Sequence, residues 1–148
     1  MSINIMSRLQ LALNVSNLEE SIAFYTKLFG VKPAKVKPGY ANFAIDNPPL
    51  KLILEEGEQP GGTINHLGVE VVDTAEVERL ESNLKAQGLT TKWQKEVTCC
   101  YAEQDKFWVV DPDEAPWEIY TVLKDTVNYG ENARPELTAA SSSDSCCD

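Results

Sequence analysis

Leu9-Gln10-Leu11-Ala12-Leu13-Asn14-Val15 and Asn65-His66-Leu67-Gly68-Val69-Glu70-Val71 state one pattern twice, and that pattern decides the fold. In the first stretch Leu9, Leu11, Leu13 and Val15 fall on one side of an extended chain, with Gln10, Ala12 and Asn14 on the other. In the second, Leu67, Val69 and Val71 make the packing side, and His66, Gly68 and Glu70 the opposite one. A period of two is what a half-buried strand requires. Aligned by this alternation, Gln10 falls on His66.

Each strand then runs into a helix start. Ser16-Asn17-Leu18-Glu19 and Asp73-Thr74-Ala75-Glu76 both read as an N-cap with glutamate three residues later, which satisfies N–H groups of the first turn. Leu18, Ile22, Tyr25, Leu28 and Phe29 form the apolar stripe of one helix, and Val77, Leu80 and Leu84 that of the other. Gly30 and Gly88 stand where a left-handed C-terminal residue belongs. Three short strands are expected after each helix. In the first half they lie near Lys32–Lys37, Tyr40–Ile45 and Leu50–Glu55, with a turn at Asn47-Pro48-Pro49. In the second they lie near Thr90–Glu96, Cys99–Val110 and Trp117–Leu123, with a turn at Asp111-Pro112-Asp113-Glu114. Pro49-Leu50-Lys51-Leu52 lines up with Pro116-Trp117-Glu118-Ile119, setting Lys51 against Glu118.

The expected fold is α+β: two tandem βαβββ repeats forming a curved mixed sheet around a metal cleft. Repeat one covers 8–58, a linker through Gln59-Pro60-Gly61-Gly62 covers 59–63, and repeat two covers 64–127, all within one domain, 8–127. A ferredoxin-like binding module also fits the strand-rich duplication until the polar positions are weighed. Beyond Asn128 the apolar periodicity stops, and 128–148, with Ser141-Ser142-Ser143-Asp144-Ser145, reads as a disordered tail.

The 148 residues suit one domain with a proper core. With 23 acidic and 13 basic residues the net charge is -10, which repels phosphate backbones and anionic lipid. Nucleic-acid and membrane-surface roles are thereby disfavoured. No apolar run approaches the roughly 18 residues of a helical span, and Met1–Ser7 lacks the order of a secretory signal. A cytoplasmic location is expected, with monomer or homodimer left open. The four cysteines form two adjacent pairs, Cys99-Cys100 and Cys146-Cys147. Adjacent cysteines make strained disulfides, so this is no disulfide framework.

His66 is the single histidine, which excludes any histidine-rich site. Gln10, His66 and Glu118 lie on strand faces opposite the apolar stripes, and in a curved sheet built from both repeats they converge. One imidazole, one carboxylate and one amide oxygen suit a mid-row divalent ion such as Fe(II) or Mn(II), with positions left open for dioxygen and substrate. A lone strand histidine is more often a satisfied structural residue; the register match is what favours a site. Cys99 and Cys100 are neighbouring thiols suited to Cu(I) or trivalent arsenic, or else two small residues in a strand. Lys106 follows them in the polar run from Tyr101. It is either a solvated cation or a catalytic group in a loop closing over substrate.

Leu9–Val15, Asn65–Val69, the stretch TCCYAEQDKFWVVDPD (Thr98–Asp113) and Trp117-Glu118-Ile119-Tyr120 resemble the glyoxalase/bleomycin-resistance/extradiol-dioxygenase (vicinal-oxygen-chelate) superfamily. Within it they resemble the organoarsenical carbon–arsenic lyases, related to cadmium-induced proteins. The resemblance covers about Arg8 to Val127, and its specific mark is the vicinal cysteine pair ahead of KFWVVDPD. It implies an Fe(II)-dependent dioxygenase, with Mn, Co or Ni able to substitute, that uses dioxygen to release arsenite from trivalent organoarsenicals. By position it makes His66 and Glu118 metal ligands and Cys99 and Cys100 the arsenical-binding pair. Gln10 is the departure, since many relatives carry histidine there. Two rival readings accompany it. One is a glyoxalase or ring-cleaving dioxygenase acting on a substrate without arsenic; the other is a non-catalytic protein sequestering a drug or thiophilic metal.

Overall fold

The computed structural model describes residues 7–99 and 102–125. The elements run β1 (Arg8–Val15), α1 (Leu18–Phe29), β2 (Lys35–Lys37), β3 (Tyr40–Ile45), β4 (Leu50–Glu56), β5 (Thr63–Glu70), α2 (Thr74–Ala86), β6 (Lys92–Cys99), β7 (Ala102–Val110) and β8 (Pro116–Asp125). This is βαβββ twice over. All eight strands join one curved, unclosed sheet in the order β2-β3-β4-β1-β5-β8-β7-β6. The first and last strands of each repeat therefore occupy its middle. β1 pairs parallel with β4 and β5 with β8, while β1 and β5 meet antiparallel.

The apolar stripes pack as their alternation requires except at Leu9 and Leu28, which are 46% and 58% exposed. α1 sets Leu18, Ile22, Tyr25 and Phe29 against Leu11, Leu13, Phe43, Leu52 and Leu54. α2 sets Val77, Leu80 and Leu84 against Val69, Phe107, Val109 and Ile119. The opposite face is not left to solvent: curvature encloses it, and Gln10, His66 and Glu118 there are each at most 2% exposed. On β1 the polar side, Gln10, Ala12 and Asn14, is thus the fully buried one, while Leu11 and Leu13 on the apolar side are only partly buried.

Four local expectations are corrected. The α1 cap is Asn17, whose side chain accepts from the Glu20 N–H, and not Ser16; Asp73 caps α2 through the Glu76 N–H as anticipated. β2 begins at Lys35, after Pro33, whose nitrogen has no hydrogen to give a ladder. Cys99 closes β6 and does not open the following strand. Glu103–Lys106 lies within β7, so no loop runs there to close over a substrate. Cys100, Cys146, Cys147 and the tail 128–148 lie outside the described residues.

The duplication is also visible in register. β1 and β5 cross at Leu11 opposite Leu67, so Gln10 faces Gly68 and His66 faces Ala12. Gln10 and His66 are thus counterparts, as are Ala12 and Gly68. Ala12 lies beside Ile53, and Gly68 beside Glu118. The counterpart of Glu118 is therefore Ile53, two residues beyond Lys51 on the same strand face.

Candidate metal centre

Gln10 stands on β1, His66 on β5 and Glu118 on β8, three neighbouring strands, with all three side chains on the enclosed face. Gln10 Nε2 lies 3.1 Å from His66 Nε2 and donates to Glu118 Oε1 at 2.5 Å. His66 Nε2 is 3.3 Å from the same carboxylate oxygen. The three groups meet at one point.

The imidazole is oriented from behind. His66 Nδ1 lies 2.8 Å from Asn65 Oδ1; Asn65 Nδ2 donates to Asn14 Oδ1, and Asn14 Nδ2 to Thr63 Oγ1. With the Nδ1 proton engaged by Asn65, the Nε2 lone pair is turned into the site. The Trp108 ring meets the imidazole edge-on at 5.6 Å between centroids.

Lys106, read as a solvated cation or a loop residue, is neither. It is fully buried in β7, and its Nζ donates to Glu118 Oε2 at 2.7 Å. Burial opposes ionisation of Glu118. The Lys106 ammonium and His66 outweigh it, holding the carboxyl well below the usual range. Glu118 thus offers Oε1 to the site as a carboxylate, while Oε2 is held by Lys106.

A second, partly buried charged group borders the first, and no sequence pattern announced it. Glu70 Oε2 accepts from Arg8 Nε at 3.3 Å and from the Tyr120 hydroxyl at 3.1 Å, and Lys51 Nζ stands 3.5 Å away. Burial draws the Lys51 ammonium below the ordinary lysine range against the pull of Glu70. It pushes the Tyr120 hydroxyl up. Alternation had placed Glu70 on the side of His66, but nothing in the chain linked it to Arg8 or Tyr120. A cavity of about 220 Å³ opens here, lined among others by Arg8, Gln10, Asn42, Lys51, Gln104 and Glu118.

Residues 8–119 match the family model of the Glyoxalase/Bleomycin resistance protein/Dioxygenase superfamily. The chain belongs to this superfamily. A protein of Thermomonospora curvata named trivalent organoarsenical cleaving enzyme is 57% identical over 121 residues, 81% of this chain and 80% of that one. The cadmium-induced protein CadI of Mycobacterium tuberculosis is 51% identical over 143 residues, 97% of this chain and 94% of that one. The Mn(II)-bound glyoxalase of Novosphingobium aromaticivorans shares the fold at a TM-score of 0.58 and 17% identity. That match spans 90% of this chain and 44% of the larger one.

Membership of the superfamily implies a divalent metal, and the residues fit one. Among the described residues no three His, Cys, Asp or Glu side chains gather, so a third donor would have to come from an amide. Gln10 could supply it: a half-turn of its terminal torsion would exchange amide nitrogen for oxygen at the meeting point. One imidazole nitrogen and two oxygens make a donor set for Fe(II) or Mn(II). Among the described residues no helix is long and apolar enough to cross a membrane.

Proposed function

We propose that this chain is an Fe(II)-dependent dioxygenase cleaving the carbon–arsenic bond of trivalent organoarsenicals, such as methylarsenite, to release arsenite. The observation that carries this reading is the convergence of Gln10, His66 and Glu118 in an enclosed cleft. Cys99 adds to it, since its backbone pairs with Ala102, which lines the same cavity. The similarity to a protein named for organoarsenical cleavage supports it.

Gln10, His66 and Glu118 would hold Fe(II), or Mn, Co or Ni in its place, and the bound iron supplies activation of dioxygen. Cys99 and Cys100 hold the substrate, because arsenic(III) bearing one organic group has two positions for soft thiolates. Lys106 is the catalytic cation. It fixes the Glu118 carboxylate and places a proton beside any oxygen that gains charge in the cleft. Trp108 and Tyr120, both fully buried, keep bulk water from that point. One dioxygen per methylarsenite balances as one arsenite and one formaldehyde. The carbon–arsenic bond breaks, carbon is oxidised as dioxygen is reduced, and arsenic stays trivalent.

Oxygen uptake and arsenite release on adding methylarsenite to the Fe(II)-loaded protein test this. Equal amounts of each are expected. Tight methylarsenite binding without oxygen uptake would convert the enzyme into a sequestering protein. Oxygen uptake with catechols alone would make it a ring-cleaving dioxygenase.

A further inference from the structure

Between Gln94 and Val97, β6 carries one residue more than β7: Gln94 stands opposite Lys106, yet Val97 stands opposite Gln104. The surplus forms a bulge in which Glu96 has φ +53°, a left-handed conformation unfavourable for any residue with a β-carbon. Asp105 holds it there. Asp105 Oδ1 accepts from the Glu96 N–H at 2.6 Å, and Oδ2 from Thr74 Oγ1 at the start of α2 at 2.7 Å. This carboxylate is buried on the helix-facing side of β7, away from Gln104 and Lys106. Neither of these hydrogen bonds reaches Gln10, His66 or Glu118, and Asp105 has no part in the chemistry above.

The bulge sets the phase of everything after it. Cys99 stands opposite Ala102, and Ala102 and Gln104 line the cavity that Gln10 and Glu118 share. Regular pairing continued from Gln94 would instead set Glu96 opposite Gln104 and Thr98 opposite Ala102. Slipping a strand by one residue exchanges its two faces. Cys99 would then leave the phase of the cleft and Thr98 would take its place.

We propose that Asp105 is a positioning residue for the arsenical: by holding the β6 bulge, it keeps Cys99 in register with the cleft wall. The proposal rests on the reading of the cysteine pair as the arsenic-binding group.

The test measures methylarsenite affinity, Fe(II) affinity and melting temperature in the full-length protein. Asp105→Ala weakens methylarsenite binding by about a hundredfold, as expected when one of two linked contacts is lost. Fe(II) affinity stays within about twofold, since the two sites share no partner. Asp105→Asn keeps the affinity, because its amide oxygen still accepts from Glu96 and its NH₂ can donate to the Thr74 hydroxyl. Deleting Glu96 in the Asp105→Ala background restores binding, because a strand without the surplus residue sets Cys99 opposite Ala102 with no bulge to hold. Glu96→Gly in the same background is a second rescue, as glycine takes positive φ at little cost.

An Asp105 that serves stability alone would lower the melting temperature and both affinities together, and removing a residue would not restore them. Unchanged methylarsenite affinity in Asp105→Ala, or a loss that neither rescue repairs, overturns the proposal. A wild-type protein that binds no methylarsenite overturns the arsenic reading and this proposal with it.

Discussion

A β-carbon at position 68 would stand 2.8 Å from the Glu118 carbonyl oxygen and 2.9 Å from its Cγ, with Gln10 Nε2 3.2 Å away. The meeting of Gln10 and Glu118 therefore needs a residue without a side chain between them. Gly68→Ala should displace Glu118 and weaken Fe(II) binding by on the order of tenfold or more, the clash being with backbone as well as side chain. His66→Ala should abolish stoichiometric binding, whereas Gln10→His should preserve or raise affinity, because imidazole is the stronger donor for this row of metals. Calorimetric titration under argon ranks the three; full affinity in His66→Ala would remove the site from consideration. Lys106→Met probes the other side of the carboxylate. The folded chain ionises Glu118 below the ordinary range. Its contribution is thus complete above the unfolded value of about 4.3 and is lost as pH falls toward the folded one. Without Lys106, burial dominates and the carboxyl is driven upward. Breaking a buried pair costs about 3–5 kcal/mol, so urea melts at neutral pH should show that loss, and the deficit should shrink as pH falls, because a carboxyl with a raised folded pKa takes up its proton more readily in the folded chain. A deficit that stays constant between neutral and acid pH would mean that Lys106 does not set the charge of Glu118.

At the scale of elements, α1 shows why a cap is harder to read than a helix. Ser16 and Asn17 both have capping chemistry, and the choice between them depends on where β1 releases the chain. Gly61 lies against Ser16, where a β-carbon would come within 2.8 Å of the Ser16 nitrogen, and Glu56 accepts from the Leu18 N–H. The tertiary neighbours thus start the helix one residue later than the local tetrad suggests. Asn17→Ala should cost about 1 kcal/mol, and Ser16→Ala within about 0.5 kcal/mol. Equilibrium urea unfolding of the two variants measures the difference; the reverse ranking would restore Ser16 as the cap. The same reasoning explains β6 and β7. Their strand character was legible from apolar residues, but the bulge at Glu96 depends on an aspartate of the neighbouring strand, so sequence alternation assigned Cys99 to the wrong strand.

Across the whole molecule, the repeat, the two helices and the polar faces of β1, β5 and β8 were legible because each is written in local periodicity. Lys106 was not, since nothing local tells a buried lysine from a solvated one; its partner comes from the next strand. The Lys51–Glu118 match was two residues out of register because β1 with β4 and β5 with β8 are parallel pairs, whose register no hairpin turn fixes. Charge is also distributed on this scale. The chain carries a net charge of -10, yet Lys51 and Lys106 are turned into the cleft, so the exterior field is that of an acidic protein. Such a field draws in divalent cations and leaves neutral solutes alone. At about 0.01 M salt the screening length is about 30 Å, comparable to the protein, and at about 0.15 M it is about 8 Å. Metal loading should therefore slow on the order of tenfold across that range. Methylarsenite, uncharged near neutral pH, should associate at the same rate at both ends. Stopped-flow mixing with Mn(II), which resists oxidation, and separately with methylarsenite measures both. If Mn(II) loading ignores salt, the cleft's own cations offset the acidic exterior at the point of entry, and the overall charge has no part in delivering the metal.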